Sequence, residues 1–163
     1  TKMMTLMLTF EALDRGTLRL NQTLVVSRHA ASMPPSRLWL APGSTITVEQ
    51  AILALVTRSA NDVAVVLAEA LGGSEPAFAG KMTARARALG MRRTVFRKAS
   101  GLPDRLQRTT ARVMAILSRA LIICSFSSSK LVVVLVTGGC AKAGSQPISN
   151  NNTNLGLFNM LAI

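Results

Sequence analysis

The sequence predicts an α-rich fold: a cluster of helices joined by short strands and loops. Three observations predict it. Apolar residues recur at helical spacing through four segments of the first three quarters of the chain. Those segments carry start and stop signals, such as Thr47 with Gln50 three residues on, and the glycines Gly16, Gly72, Gly73 and Gly90. Beyond Leu121 the pattern changes: there is no acidic residue, and only Lys130 and Lys142 are charged.

Thr1 to Arg15 reads as the first helix, with Met3, Met4, Met7, Leu8 and Phe10 in a broad apolar stripe and Gly16 as its stop. Thr17 to Ser27 alternates loosely and reads as short extended segments. His29 to Gly43 holds Pro34-Pro35 and Pro42-Gly43 and reads as loop. The Thr47–Gln50 capping box opens a helix to about Arg58, with Val48, Ile52, Leu55 and Val56 inward. Ser59-Ala60-Asn61 breaks it. A helix from Asp62 to Leu71 is apolar on all sides, and Asp62 is a first-turn charge that suits the helix dipole. Ser74 caps the next helix, with Pro76 tolerated in its first turn. Phe78, Met82, Ala86 and Leu89 face in, and Lys81, Arg85 and Arg87 face out. Met91 to Asp104 connects to a fourth amphipathic helix after Thr109-Thr110, with Val113, Ile116, Leu117, Ala120 and Leu121 inward. Lys130 to Val136 reads as a strand, Gly138-Gly139 as a turn and Asn150 to Asn154 as a polar loop. Residues 1–122 thus form a helical core, and 123–163 a strand and loop segment of the same domain.

At 163 residues and 49% hydrophobic content, the chain has ample material for one core. Its net charge of +12 favours anionic partners. Arginine supplies 14 of the 19 basic residues, which also fits an arginine-preferring genome. Lys81, Arg85, Arg87, Arg92, Arg93 and Arg97 would make a basic binding face. No nucleic-acid motif or aromatic interleaving accompanies them, so nucleic acid is not expected as a partner. Cys124 and Cys140 define no disulfide framework, and the single His29 argues against a metal site. No cofactor is expected. No run is long enough to span a bilayer, and there is no signal peptide, so membrane association is expected only through segments outside this sequence.

Two features carry chemistry: Lys2 at the head of the first helix, and Ser59-Ala60-Asn61 between two apolar helices. Each alone fits an ordinary role, as a solvated lysine and as a helix start. Together they match parts of the Ser-x-x-Lys, Ser-x-Asn, Lys-Thr-Gly set of acyl-serine enzymes. A lysine desolvated in a pocket loses its proton near neutral pH and becomes a base. A Ser-x-Asn turn beside it supplies a hydroxyl for proton relay and an amide for the substrate.

The surrounding words make the resemblance specific. Thr1-Lys2-Met3-Met4-Thr5 looks like the tail of a Ser-x-Thr-Lys-Met-Met-Thr segment, and FEALDRGTLRL, LVTRSANDVAVVLAEALGGSEPAF, MTARARALGM, ASGLPD and TTARVMAIL follow in matching order. The first 120 or so residues resemble the D-alanyl-D-alanine carboxypeptidases, the low-molecular-weight penicillin-binding proteins. The resemblance implies the α-rich part of an α/β (α+β) serine β-lactamase/penicillin-binding-protein fold, with most of the β-sheet outside the sequence. It implies a serine peptidase of peptidoglycan maturation that works through an acyl-enzyme. The implied partners are pentapeptide stems ending in D-Ala-D-Ala and β-lactams, and the implied location is the periplasm or cell envelope. By position, Lys2 is the general base, Ser59 the proton relay and Asn61 the substrate-positioning amide.

The departures from the family are concrete. The nucleophilic serine would stand ahead of Thr1. No Lys-Thr-Gly occurs, since Val136 precedes Thr137-Gly138, and Val113 stands where Asp is expected. SNNNTNLGLF, from Ser149 to Phe158, is similar to the segment that precedes Lys-Thr-Gly in the family; the alternative is that Leu131 to Gly139 is the later strand of the sheet, with the Lys-Thr-Gly region deleted. The 163 residues by themselves are therefore expected to be inactive. The competing readings are a β-lactamase or esterase of the same fold, or a basic non-catalytic binding module. Class A β-lactamases favour Ser-Asp-Asn, and this chain has Ala60.

Overall fold

The computed structural model describes residues 1–127. In chain order the elements are α1 (Lys2–Asp14), β1 (Thr23–Val25), α2 (Arg28–Ala31), β2 (Thr45–Thr47), α3 (Val48–Thr57), α4 (Asn61–Gly72), α5 (Glu75–Ala88) and α6 (Ala111–Ser127). The helix-rich architecture with one small sheet is the one that the apolar periodicity predicts. The strand, turn and polar loop expected between Lys130 and Asn154 lie outside the described residues.

Helix α4 is the centre. Asn61 through Ala68 are all buried, as expected of a helix that is apolar on every side. It packs on α5, α2, α3 and α1. Helix α1 packs on α6 and α4 and buries Met4, Leu6, Met7 and Phe10 together with the polar Thr5 and Thr9. Thr9 Oγ1 donates to the Thr5 carbonyl at 2.9 Å and Thr5 Oγ1 donates to the Ala99 carbonyl at 2.9 Å. Both buried hydroxyls are thus satisfied, which a dry core requires.

The capping box of α3 forms as its sequence predicts. Thr47 Oγ1 accepts from Gln50 N at 3.2 Å, and Gln50 Oε1 accepts from Thr47 N at 3.1 Å. Ser74 caps α5 by accepting from Ala77 N. Gly73 ends α4 at φ 77°, a conformation that glycine adopts without Cβ strain. β1 and β2 pair antiparallel, with buried Leu24 opposite buried Ile46.

Two expectations change. His29 was expected in a loop, but Ser27 caps the single turn α2 by accepting from Ala30 N at 2.9 Å. His29 then reaches Glu75 Oε2 at 3.0 Å. Glu75 is buried, accepts from Ala99 N at 3.0 Å and lies 3.8 Å from Lys98 Nζ. On α6, Leu117 and Leu121 are buried but Ile116 is 38% exposed. Ile116 sits about 100° around the helix from Leu117, and Met114 takes the inward place. Among the described residues no helix is long and apolar enough to cross a membrane.

Gly72 and Gly80 give a paired test. A Cβ on Gly72 would fall 2.7 Å from Phe78 Cβ and 2.8 Å from Phe78 N, whereas one on Gly80 meets nothing within 4 Å. Gly72→Ala is expected to destabilise by about 2 kcal/mol through overpacking. Gly80→Ala, inside α5, is expected to stabilise by up to about 1 kcal/mol. Urea unfolding of the two variants measures both signs.

Candidate active site

Lys2 opens α1, and Asn61 is the first residue of α4. The packing of these helices brings Lys2 Nζ to 2.7 Å from Asn61 Oδ1, across 59 residues of sequence. Asn61 Nδ2 donates to the Pro34 carbonyl at 2.9 Å, and Asn61 N donates to the Ser36 carbonyl at 2.7 Å. The Pro34 oxygen can only accept, so it fixes which end of the amide faces the lysine. Asn61 thus joins three parts of the chain: α1, α4 and the loop after α2.

Asn61 does not cap its helix. Ala60 holds the N-cap position and has no side chain with which to bond. Asn61 is instead spent on tertiary bonds. Ala60 is fully buried, so an Asp in the middle of this motif would have to give up its hydration. Ser59 has φ 53°, a left-handed conformation uncommon outside glycine, and it is exposed. Its hydroxyl makes no hydrogen bond among the described residues. The fold therefore joins Lys2 to Asn61 and leaves Ser59 Oγ outside that bond.

Asp62 does more than the first-turn charge read from sequence. It is fully buried, and its carboxylate accepts from Leu38 N at 3.0 Å and from its own helix at Val63 N at 2.9 Å. Ser36 Oγ donates to the Arg58 carbonyl at 2.7 Å, which satisfies an open carbonyl at the end of α3. The loop from Pro34 to Leu40 is thereby clamped onto the Ser59–Asp62 turn. A second wall comes from Ala99 to Gly101. Ala99 is anchored by Thr5 and Glu75, and Gly101 lies so close that an added Cβ would be 2.9 Å from Thr1 Cβ. The sequence words ASGLPD and the Asp after Ser-x-Asn marked these places, but nothing in their spacing indicated the contacts.

Partial burial lowers the Lys2 pKa from the ordinary lysine value, and desolvation is the cause. Asn61 Oδ1 holds the ammonium by one hydrogen bond, with no carboxylate in the bond to oppose that shift. Among the described residues no cluster of three His, Cys, Asp or Glu side chains stands ready for a metal ion.

The Lys2–Asn61 bond brings together in space parts of two motifs of the Ser-x-x-Lys, Ser-x-Asn, Lys-Thr-Gly set. Comparisons with known proteins narrow the class. The sequence model of the D-alanyl-D-alanine carboxypeptidase family matches residues 1–134, and the chain belongs to that family. It is 38% identical over 122 residues to the D-alanyl-D-alanine carboxypeptidase DacF of Bacillus subtilis, covering 75% of this chain and 31% of that protein. The crystal structure of DacD from Francisella tularensis superposes with a TM-score of 0.72 at 34% identity, covering 74% of this chain and 29% of that one. Penicillin-binding protein D2 of Listeria monocytogenes, in its ampicillin-bound form, matches with a TM-score of 0.59 at 31% identity, covering 75% and 49%. The chain spans about a third of the length of the curated relatives it matches.

Two measurements test the site. Asp62→Ala strands the Leu38 amide and is expected to cost about 3 kcal/mol in urea unfolding, with faster hydrogen exchange at Leu38. NMR titration of the Lys2 side chain is expected to give a midpoint below that of an ordinary solvated lysine. Its folded pKa lies below its unfolded one, so between the two values the unfolded chain holds more protons. The Lys2 contribution to stability therefore rises with pH through that window.

Proposed function

We propose that these residues form the helical side of the catalytic centre of a serine-type D-Ala-D-Ala carboxypeptidase of peptidoglycan maturation. The observation that carries the reading is the 2.7 Å bond between Lys2 and Asn61. It joins two motifs, far apart in sequence, that the chemistry needs together.

In the complete protein a serine one helical turn ahead of Lys2 is the nucleophile, since residues three apart share a helix face. Its Oγ forms a bond to the carbonyl carbon of the penultimate D-Ala, and the C–N bond to the terminal D-Ala breaks. Lys2, with its proton affinity lowered by burial, takes the serine proton as general base. Ser59, exposed at the turn, relays that proton to the leaving amine. Asn61 positions the substrate amide while it steadies Lys2. Water then hydrolyses the acyl-enzyme. β-Lactams acylate the same serine, a proposal supported by the ampicillin-bound form of the Listeria relative. The site of action on this reading is the periplasm or cell envelope, with the pentapeptide stem as substrate.

A β-lactamase reading is disfavoured by Ala60, since class A β-lactamases favour Ser-Asp-Asn. The 163 residues include no serine ahead of Lys2 and no Lys-Thr-Gly. Alone, they are expected to form no covalent adduct with a fluorescent penicillin on a denaturing gel. The complete protein is expected to label, and Lys2→Met in it is expected to lose at least about a thousandfold in acylation rate. A stable label on the 163-residue chain would show that the nucleophile is misplaced.

A further inference from the structure

The loop between α2 and β2 carries a feature that the Lys2–Asn61 centre does not use. Trp39 is 69% exposed, more than any other large apolar side chain among the described residues. Its φ of 63° is in the left-handed region, where a bulky side chain is strained. Such a conformation persists only where the surroundings enforce it. Here buried Asp62 enforces it by gripping the chain on both sides, with Leu38 N at 3.0 Å and Leu40 N, more weakly, at 3.5 Å. The indole is thereby turned out into water.

The ring is also backed. The Arg37 guanidinium carbon lies 3.6 Å from its centroid. Arg37 is itself pinned, since Nη1 donates to the Ala31 carbonyl at 2.9 Å and to the Met33 carbonyl at 2.8 Å. Arg37 Nε is buried and has no partner among the described residues. An open cleft of about 290 Å³ adjoins the indole, bordered by Arg28, Ser32, Arg37 and Trp39. Two features set this place apart, the strained φ and the exposed indole. Both make sense as a rigid platform, because a surface already ordered loses little freedom when it binds.

The chemistry of the platform selects its ligand. A flat aromatic face takes a ligand with a C–H face. The exposed donor beside it, Arg28, takes acceptors on that ligand's rim. Positive charge disfavours a basic side chain here. A pyranose ring fits: its axial C–H groups stack on the indole, and its hydroxyl and acetamido oxygens accept from Arg28. Through Asp62 the platform is held in fixed register with Asn61, and hence with Lys2.

We propose that Trp39, backed by Arg37 and flanked by Arg28, is a subsite for a sugar ring of the glycan strand that bears the peptide substrate. The choice of glycan rests on the peptidase reading above.

Trp39 is the only tryptophan in the chain and there is no tyrosine, so the subsite reports its own occupancy. The test is a titration of the native chain with an N-acetylglucosamine tetramer, followed by tryptophan emission. A saturable change is expected, weakened about tenfold in Arg28→Ala, which keeps the fluorophore. No change at tens of millimolar sugar overturns the proposal. An equal change with inorganic phosphate at matched ionic strength also overturns it, since the site would then bind anions as such. The experiment reads no turnover. Its failure leaves the peptidase reading standing, and failure of the complete protein to trap penicillin leaves a positive emission result standing.

Discussion

The buried polar start of α4 is the constraint around which the structure is organised. Asn61 and Asp62 sit at the end of an apolar helix, almost without solvent. Polar groups in such a place must find partners or the fold loses the full cost of their desolvation. Asn61 finds Lys2 on α1 and the carbonyls of the 34–36 loop, and Asp62 finds the amide of Leu38. Those bonds dictate where the loop runs and how α1 meets α4. They also build the candidate site, because the lysine that satisfies Asn61 is partly desolvated by the same packing.

The strain in the region follows from the same constraint. Ser59 and Trp39 are the two non-glycine residues with positive φ among the described residues, and each flanks a group that the clamp holds. Ser59 turns the chain between α3 and α4 so that Ala60 is buried and Asn61 reaches inward. Trp39 lies between two amides aimed at Asp62. Strain collected around one polar cluster is the pattern of a site whose geometry matters more than its local stability.

Much of the fold was legible because local rules governed it. The Thr47–Gln50 box, the Ser74 cap, Gly73 and the all-round burial of α4 each depend on residues within a turn or two of one another. The misreadings have equally plain causes. Ser27 caps α2 through one hydroxyl, and the prolines that follow masked it. Ile116 belongs to a helix whose buried stripe is narrow, so a residue 100° from Leu117 meets water. Asp62 has the composition of an ordinary first-turn acid. Only its burial reveals that it holds another segment.

The site divides the same way. The sequence by itself determined the longer helices, most of their ends and the family, and it singled out Lys2 and Ser59-Ala60-Asn61, because residue type and spacing are local properties. It could not say that Asn61 bonds Lys2, that Asp62 clamps the 34–40 loop, or that Ser59 stays outside the Lys2 bond. Those are facts about pairs of segments tens of residues apart. They were decided when the apolar faces of α1 and α4 packed, since burying those faces stranded polar groups that only particular distant partners could satisfy.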